Sequence, residues 1–282
     1  MATETGFFHD HVLTFTMDDA LAEIRFLASS ANRVRVLESL ADGATTRREV
    51  EERTGVARST VARALDEAAD RGWVDSEGSR YWTTPVGAAR LSAFRSYLKT
   101  TAGMQHLGPA LRWLPDPVRG LDFRHFRDAE LTYPTPDNPA APFDRGLALL
   151  NGADEYRSLT QNSFPQFMEV VRDRVEQGEL DFEGVVTGAF VEVLRSDPER
   201  ASVWRDVADR TWMYDGHVPL NMQIADETVV LWLCGADHDG EDVVVKGLLE
   251  SDDAAVVSWA ASCYEEFRSE ADPLENAELT VT

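Results

Sequence analysis

A pair of short helical patterns joined by a glycine turn, at residues 46–71, constrains the fold of this chain more than any other feature. Thr46 and Glu49 have the spacing of a capping box, in which each residue satisfies a free backbone donor of the other. Gly55 breaks the chain, and a second amphipathic helix is predicted over 57–71. One such helix braces the other at a steep angle, so the second can project from the protein surface.

Elements of the same small domain flank this pair on both sides. Two more helices are predicted before it, one capped by Thr16 and one capped by Ser30. After it, two β-prone runs surround the turn Ser-Glu-Gly-Ser, and a longer helix begins at Pro85. This order predicts a winged helix-turn-helix domain over residues 17–104. Residues 1–16 are predicted to form a flexible arm.

The charge of the chain is distributed unevenly. The whole sequence has a net charge of -23, and all but two of its 27 basic residues are arginines. High acidity with few lysines is typical of proteins from salt-loving organisms, in which strong salt screens the repulsion of like charges. Residues 31–99 nevertheless carry twelve basic and ten acidic side chains, a net charge of +2, which leaves -25 for the rest. Because nucleic-acid affinity depends on neutralising phosphates, this asymmetry indicates that the winged helix binds DNA.

Candidate base contacts lie on the outer face of the predicted 57–71 helix. Its apolar stripe belongs in the core, which leaves Ser59, Thr60 and Arg63 outside, near the end where a recognition helix meets bases. Arginine can pair with a guanine edge through two hydrogen bonds, and hydroxyl groups can serve bases or phosphates. Ala57 stands where a Ser or Asp cap would be favoured, so the start of this helix is weaker than it could be.

Candidate phosphate contacts lie on the neighbouring elements. Arg47 and Arg48 start the preceding helix, and Arg80 lies on the wing. The full set of predicted DNA-binding residues is Arg47, Arg48, Arg58, Ser59, Thr60, Arg63 and Arg80.

After the first domain, prolines punctuate a connecting region, and from about residue 129 onward strand-like and helical runs alternate. The predicted strands are AELTY, YRSLT, DFEGVV, LNMQIA, TVVLWLC and DVVVKGLL, and the predicted helices are 142–152, 165–178, 198–209 and 252–269. This alternation predicts an α/β effector domain over 106–272, followed by a tail at 273–282. The chain as a whole is therefore predicted to be α+β, with an N-terminal winged helix-turn-helix and a C-terminal α/β domain.

The runs NRVRVLESLADG, TRREVEERTGVARSTVARALDEAADRGWV and SRYWTTPVGAARL resemble the winged-helix transcription regulators of archaea, in the form common in salt-loving archaea. Downstream, three runs resemble the effector domain of the FilR-like methanogenesis-regulator family. They are DAELTYPTPDNPAAPFDRGLALL, VVRDRVEQGELDFEGVV and VVKGLLESDDAAVVSWAASCYEEFRSEADPL. The resemblance implies a transcription regulator with a sensing domain.

The second domain is expected to sense a small molecule, because it is larger than DNA binding requires and is acidic. Gln161 and Asn162 follow the predicted strand YRSLT, where polar side chains could orient a ligand. The tryptophans at 204, 212, 232 and 259 are expected in the core, and one or two could line a pocket. The alternative is that this domain is only a structural platform for dimerisation.

Enzymatic function is disfavoured. Phospholipase-D-type cleavage needs a histidine two residues before a lysine, but Tyr97 and Val244 stand two before Lys99 and Lys246. We find no nucleophile elbow, phosphate-binding glycine loop or zinc-protease signature. The HDH motif at 9–11 and the acidic turn ADHDGED lack the ligand patterns of metal sites. We predict no enzyme activity, no cofactor and no bound metal.

A cytoplasmic location is predicted, because we find neither a long apolar run nor a signal-peptide pattern. Cys234 and Cys263 are expected to be buried thiols in a reducing compartment.

The expected partners are double-stranded DNA, a second copy of the chain and a small-molecule effector, with no membrane. A homodimer is predicted because one such reader covers only a few base pairs. The stripe Leu91, Phe94 and Leu98 must be buried either on its own domain or on a twin helix. The alternative function is a protein-interaction adaptor whose winged helix does not touch DNA.

Overall fold

The computed structural model describes residues 16–43, 45–236, 243–275 and 279. The chain divides into two compact units, one ending at Leu98 and the other beginning at Lys99. The predicted arm, except Thr16, lies outside the described residues, as do the HDH motif and most of the acidic turn and of the predicted tail.

The first unit has the element order of a winged helix-turn-helix, as predicted. Its helices are α1 (Met17–Ala28), α2 (Ala31–Glu38), α3 (Arg47–Thr54), α4 (Arg58–Ala69) and α5 (Pro85–Leu107), and the division between the units falls within α5. Its strands are β1 (Thr45–Thr46), β2 (Val74–Glu77) and β3 (Arg80–Thr83), which form an antiparallel sheet in the order β1-β3-β2. The hairpin β2–β3 is the wing.

Side-chain caps fix where the first three helices begin. Thr16 forms a capping box with Asp19 at α1, and the Ser30 hydroxyl accepts a hydrogen bond from the backbone N–H of Arg33 at α2. Thr46 forms the predicted capping box at α3. Each cap satisfies backbone donors that a helix leaves unpaired, which is why these starts were readable from the sequence.

The core of the first unit is built around Trp73, which follows α4 directly. Its ring meets that of Phe26 edge to face, with 5.2 Å between the ring centroids. Of the predicted α5 stripe, Leu91 and Phe94 are buried in this core, whereas Leu98 remains 44% exposed. Most of the stripe is therefore buried by its own domain.

The second unit contains an eight-stranded mixed sheet in its described residues. The strands are β4 (Glu130–Thr132), β5 (Glu155–Thr160), β6 (Asp181–Thr187), β7 (Thr211–Tyr214), β8 (Met222–Ala225), β9 (Thr228–Ala236), β10 (Val243–Ser251) and β11 (Asp272–Pro273). Their order is β11-β7-β6-β5-β8-β9-β10-β4. The pairs β5–β6 and β6–β7 are parallel and the other pairs are antiparallel. All six predicted strands are present, whereas β7 and β11 were missed.

Helices cover the sheet on both faces. They are α6 (Asp116–Arg119), α7 (Ala141–Gly152), α8 (Pro165–Glu176), α9 (Gly188–Arg195), α10 (Pro198–Arg205) and α11 (Ala254–Ser269). Neighbouring strand residues, such as Val185 and Val186, belong to two separate apolar clusters. Because side chains alternate along a strand, each cluster lies on one face of the sheet.

Some sequence-based expectations need correction. The helix predicted over 198–209 ends at Arg205, and α9 was not predicted at all. Cys234 and Cys263 are free thiols, but they are half-buried rather than buried, and burial raises the pKa of both. Of the helices in the described residues, none is long and apolar enough to cross a membrane.

Candidate nucleic-acid interface

The short turn between α3 and α4 sets the position of the candidate reading helix. Helix α3 ends at Gly55, whose φ of 64° is left-handed and favours a residue without a side chain. On α4, Val61 and Leu65 are fully buried in the core of the first unit. Their burial leaves Arg58 and Ser59 exposed near the start of the same helix. The outward face of α4 is therefore the one the sequence predicted.

The capping box at the start of α3 is closed by the carboxylate of Glu49. One oxygen of that group accepts hydrogen bonds from the backbone N–H of Thr46 at 2.7 Å and from the hydroxyl of Thr45 at 2.9 Å. These bonds, first of all the backbone one, lower the pKa of Glu49 to about 2. The folded state therefore strongly favours the charged form.

A pH dependence follows from this shift. Because the folded-state pKa lies below the ordinary value of 4.5, the stabilisation by Glu49 is present above pH 4.5 and is lost as the pH falls towards 2. We expect Glu49→Gln to remove that part of the acid-induced loss of stability. Denaturant unfolding at fixed salt, compared between parent and variant at pH 6 and pH 3, measures it. The control Glu52→Gln keeps the capping box, so its free energy of unfolding should fall between pH 6 and pH 3 as much as that of the parent. If parent and Glu49→Gln showed equal pH dependence, the prediction would be contradicted.

The predicted arginines differ in what surrounds them. Arg63 is 76% exposed and its Nε donates to Glu67 at 2.8 Å. Arg48 is 85% exposed and is paired with Glu52 one turn later. Arg58 is exposed at the start of α4, and Arg80 is exposed at the start of β3, the second strand of the wing. These four side chains are open to solvent, as a DNA contact requires.

Arg47 is placed differently from the other predicted phosphate contacts. It is ion-paired with Asp66 of α4, and its guanidinium lies 5.1 Å from the centroid of the Tyr81 ring on β3. Its Nε is buried and has no hydrogen-bond partner among the described residues. Arg47 therefore links α3, α4 and the wing, and only part of its side chain faces solvent.

A recess of about 510 Å³ lies where the N-termini of α2 and α4 meet. Its lining comprises Ser29, Ser30, Arg33, Ser59, Thr60, Arg63 and Ala64. Arg33 and Arg63 both bond Glu67, Arg33 through Nη2 at 2.6 Å and Arg63 through Nε. Helix α4 has no side-chain cap, in keeping with Ala57 at its N-cap. The recess thus combines hydroxyl groups, two guanidinium groups and an uncapped helix start.

Ser29, Ser30 and Arg33 were not among the residues predicted from the sequence for this site. A signal was available, since all three residues lie at the predicted start of a helix, where anions are often bound. What the sequence did not show is that α2 and α4 begin side by side.

The predicted ligand residues of the second unit follow β5, as expected. The side-chain amide of Gln161 donates to the carbonyl oxygen of Val218, so it is used inside the fold. Asn162 lines a cavity among β5, β8 and β9, together with Asn221 and Gln223. Among the described residues no cluster of His, Cys, Asp and Glu side chains could hold a metal ion.

Two family models match the sequence. The HVO_A0261 N-terminal domain matches residues 21–105, and the middle domain of the methanogenesis regulatory protein FilR1 matches residues 139–270. The chain therefore contains an HVO_A0261-type N-terminal domain and, downstream of it, the middle domain of a regulatory-protein family. In this regulator the first match contains the whole pair α3–α4 and the wing, and the second contains β5–β10 with the cavity at Asn162.

Among solved structures, the regulator is similar to TrmBL2, an archaeal chromatin protein, at 14% identity. The match covers 92% of this chain and all of the other, with a TM-score of 0.38. It is also similar to Nuc, a phospholipase D family member from Salmonella typhimurium, at 12% identity over 51% of this chain and 95% of the other, with a TM-score of 0.38. These low scores give neither likeness any weight for function. Among curated proteins no match is found.

Proposed function

We propose that this regulator binds promoter DNA through its winged helix and recognises its site by sequence. The observation that carries the proposal is the surface of α4. Arg58, Ser59 and Arg63 are open to solvent on the face opposite the buried Val61 and Leu65. A projecting helix with arginines near its N-terminus fits the major groove, where arginine pairs with guanine.

We infer that the recess at the start of α2 and α4 receives a backbone phosphate. An uncapped helix start offers free N–H groups and a positive dipole end to an anion. Arg63 carries five N–H donors and uses only Nε for Glu67, so its other donors remain for a phosphate. Arg33 is 12% exposed and also donates to the carbonyl oxygen of Phe26 and to the hydroxyl of Ser29, so it supplies mainly its positive charge. A phosphate bound here would fix the register of α4 on the duplex.

The exposed arginines beyond the recess are proposed to contact further phosphates. Arg48 reaches solvent from the start of α3, and Arg80 does so from the wing. Arg47 has a second role in this proposal, because it holds the wing against the reading helix through Tyr81 and Asp66.

The rival function is a protein-interaction adaptor that does not bind DNA. A gel-shift assay in molar salt separates the two, with the fragment upstream of the gene compared with a scrambled fragment of equal length. Preferential retardation of the natural fragment supports the regulator. Absence of any retardation would support the adaptor.

We propose that the regulator acts as a homodimer formed through α1 and α5. A groove of about 530 Å³ lies between these helices in the first unit, and its walls are almost entirely apolar. Met17, Leu21 and Ile24 are 46–76% exposed on α1, beside Tyr97 at 63% and Leu98 at 44% on α5. Exposed apolar patches of this kind mark interaction surfaces. We propose that the same surface of a second copy of the chain covers this groove, because a dimer also doubles the number of base pairs that are read.

The dimer prediction is tested by light scattering at micromolar concentration. The parent is expected at twice the chain mass of 31.4 kDa, and the double variant Leu21→Glu, Ile24→Glu at the single mass, because carboxylates would have to be buried without partners. Both positions are exposed, so the variant should fold. The control Val193→Glu changes an equally exposed apolar residue of α9 and should remain dimeric. A parent mass of 31.4 kDa would contradict the dimer.

We propose that the FilR1 middle domain senses a small molecule and thereby changes DNA affinity. A ligand that binds one conformation of the protein more tightly shifts the conformational equilibrium towards it. If the two conformations differ in DNA affinity, ligand binding changes that affinity. The rival role is a platform for dimerisation only. A ligand that stabilises the protein without altering operator affinity would favour the platform.

A further inference from the structure

The cavity at Asn162, which we call the β8 cavity, is built from strands on one side and a loop and helix on the other. Tyr156, Ser158 and Thr160 face it from alternate positions of β5. Asn221 precedes β8, and Gln223 lies two residues later, which puts both amides on the same face. Its volume is about 90 Å³. That is less than the roughly 150 Å³ that encloses a benzene molecule, so a ligand with an aromatic ring would lie partly outside the cavity.

The two side-chain amides of the cavity already use their oxygen atoms inside the fold. The side-chain oxygen of Asn221 already accepts hydrogen bonds from the hydroxyl of Thr160 at 3.0 Å and from the backbone N–H of Gln161 at 2.9 Å. The side-chain oxygen of Gln223 accepts a hydrogen bond from Nε1 of Trp232 at 2.6 Å. Gln223 is more than nine-tenths buried, and its NH₂ group carries the donors that remain. A ligand therefore needs an acceptor atom.

The apolar half is a wall of aromatic rings. The centroid of Trp232 lies 5.7 Å from that of Phe167 and 6.0 Å from that of Phe164. Phe143 packs behind them, 4.5 Å from Phe164. Rings this close touch one another, so they form one packed surface and do not surround a cation as an aromatic cage does. Such a surface suits contact with a planar group.

The cavity contains no full charge. Of the described residues that line it, none is Asp, Glu, Lys, Arg or His. The nearby charged groups, such as Glu169 and Arg200, line a separate recess on the other side of Ser163. Burying an unpaired charge in the β8 cavity would be costly, which disfavours carboxylates, phosphates and ammonium groups.

We propose that the β8 cavity binds a small, uncharged, planar molecule with a hydrogen-bond acceptor, such as a carboxamide or a nitrogen heterocycle. The acceptor bonds the NH₂ group of Gln223, and the planar group lies against Trp232 and Phe167. Larger parts of the ligand extend past Phe164, which is 37% exposed. The regulatory consequence of binding rests on the proposed sensor function, whereas binding itself does not.

Three probes of one shape and different charge test the assignment on the full chain in constant high salt. They are nicotinamide, which is neutral, nicotinate, which is an anion, and 1-methylnicotinamide, which is a cation. Ligand-observed NMR and thermal shift should detect nicotinamide and neither charged probe. Equal binding of a charged probe would overturn the proposal. So would the absence of detectable nicotinamide binding at about 10 mM.

Variants locate the site. Gln223→Leu should weaken nicotinamide binding about tenfold, since one buried hydrogen bond is lost. If the leucine variant fails to fold, Gln223→Glu replaces it in the test. This variant keeps the acceptor for Trp232 and the side-chain shape, and it should weaken nicotinamide binding at least as much. The control Glu169→Gln changes only the neighbouring recess and should bind like the parent. Equal affinity in the Gln223 variants and the control would place the probe elsewhere and overturn the assignment. If nicotinamide binds as expected but operator affinity is unchanged, the sensor function fails while the cavity assignment stands.

Discussion

Replacing Arg58 and Arg63 together with alanine is expected to weaken operator binding by roughly 2–6 kcal/mol, about 1–3 kcal/mol for each arginine. Both side chains are exposed on α4, and Arg63 also lines the recess proposed for a phosphate. Loss of their guanidinium groups removes both the proposed hydrogen bonds to base edges and the neutralisation of a phosphate. Fluorescence anisotropy with a labelled operator measures the change.

A matched control separates a specific effect from a general effect of charge. Arg119→Ala with Arg127→Ala removes two arginines of the second unit, which are 47% and 52% exposed. The net charge of the chain changes equally in both double variants. The control should bind DNA almost like the parent. If the two double variants lost the same affinity, α4 would not be the reading helix.

Gly87→Ala is expected to destabilise the winged helix by about 3 kcal/mol, at the upper end of the usual cost of overpacking. A Cβ at this position would lie 2.1 Å from the carbonyl oxygen of Trp73 and 2.8 Å from its carbonyl carbon. These are backbone atoms, and that oxygen accepts a hydrogen bond from the N–H of Thr84 at 2.9 Å. The backbone at Gly87 and the backbone of Trp73 cannot separate without disrupting the packing of α5 against the segment that joins α4 to the wing.

The control for this variant is Gly152→Ala at the end of α7. A Cβ there meets no atom within 4 Å, so the same chemical change costs little. Denaturant unfolding in constant salt should show a lower midpoint for Gly87→Ala only. Equal midpoints for the two variants would mean that α5 does not pack against Trp73 as described.

The winged helix could be predicted from the sequence because its signals are local. Thr46, Glu49 and Gly55 mark the beginning and the end of α3 within ten residues. By contrast, α9 follows β6 with no connecting loop, and its residues Phe190, Val191 and Val193 are as β-prone as the strand before them, with the single Gly188 as a break. Only the cap by Thr187 and the packing against the sheet make it a helix.

The candidate DNA interface was predicted less completely, because ion pairs and recesses depend on distant residues. The pairing of Arg47 with Asp66 joins positions 19 residues apart. That of Arg33 with Glu67 joins positions 34 residues apart. Sequence spacing does not predict such pairs. Gln161 and Asn162 were both predicted to orient a ligand; Asn162 lines a cavity, whereas the side chain of Gln161 donates to the carbonyl oxygen of Val218, and a ligand role stays a prediction.

Sequence-specific DNA binding is tested by titrating the parent protein against its own promoter fragment over a series of salt concentrations. Direct phosphate contacts predict that the logarithm of the binding constant falls linearly with the logarithm of the salt concentration, by about 0.9 per phosphate neutralised. A scrambled fragment should bind more weakly at every salt concentration. Binding that showed no preference for the promoter, or that did not change with salt, would contradict the claim.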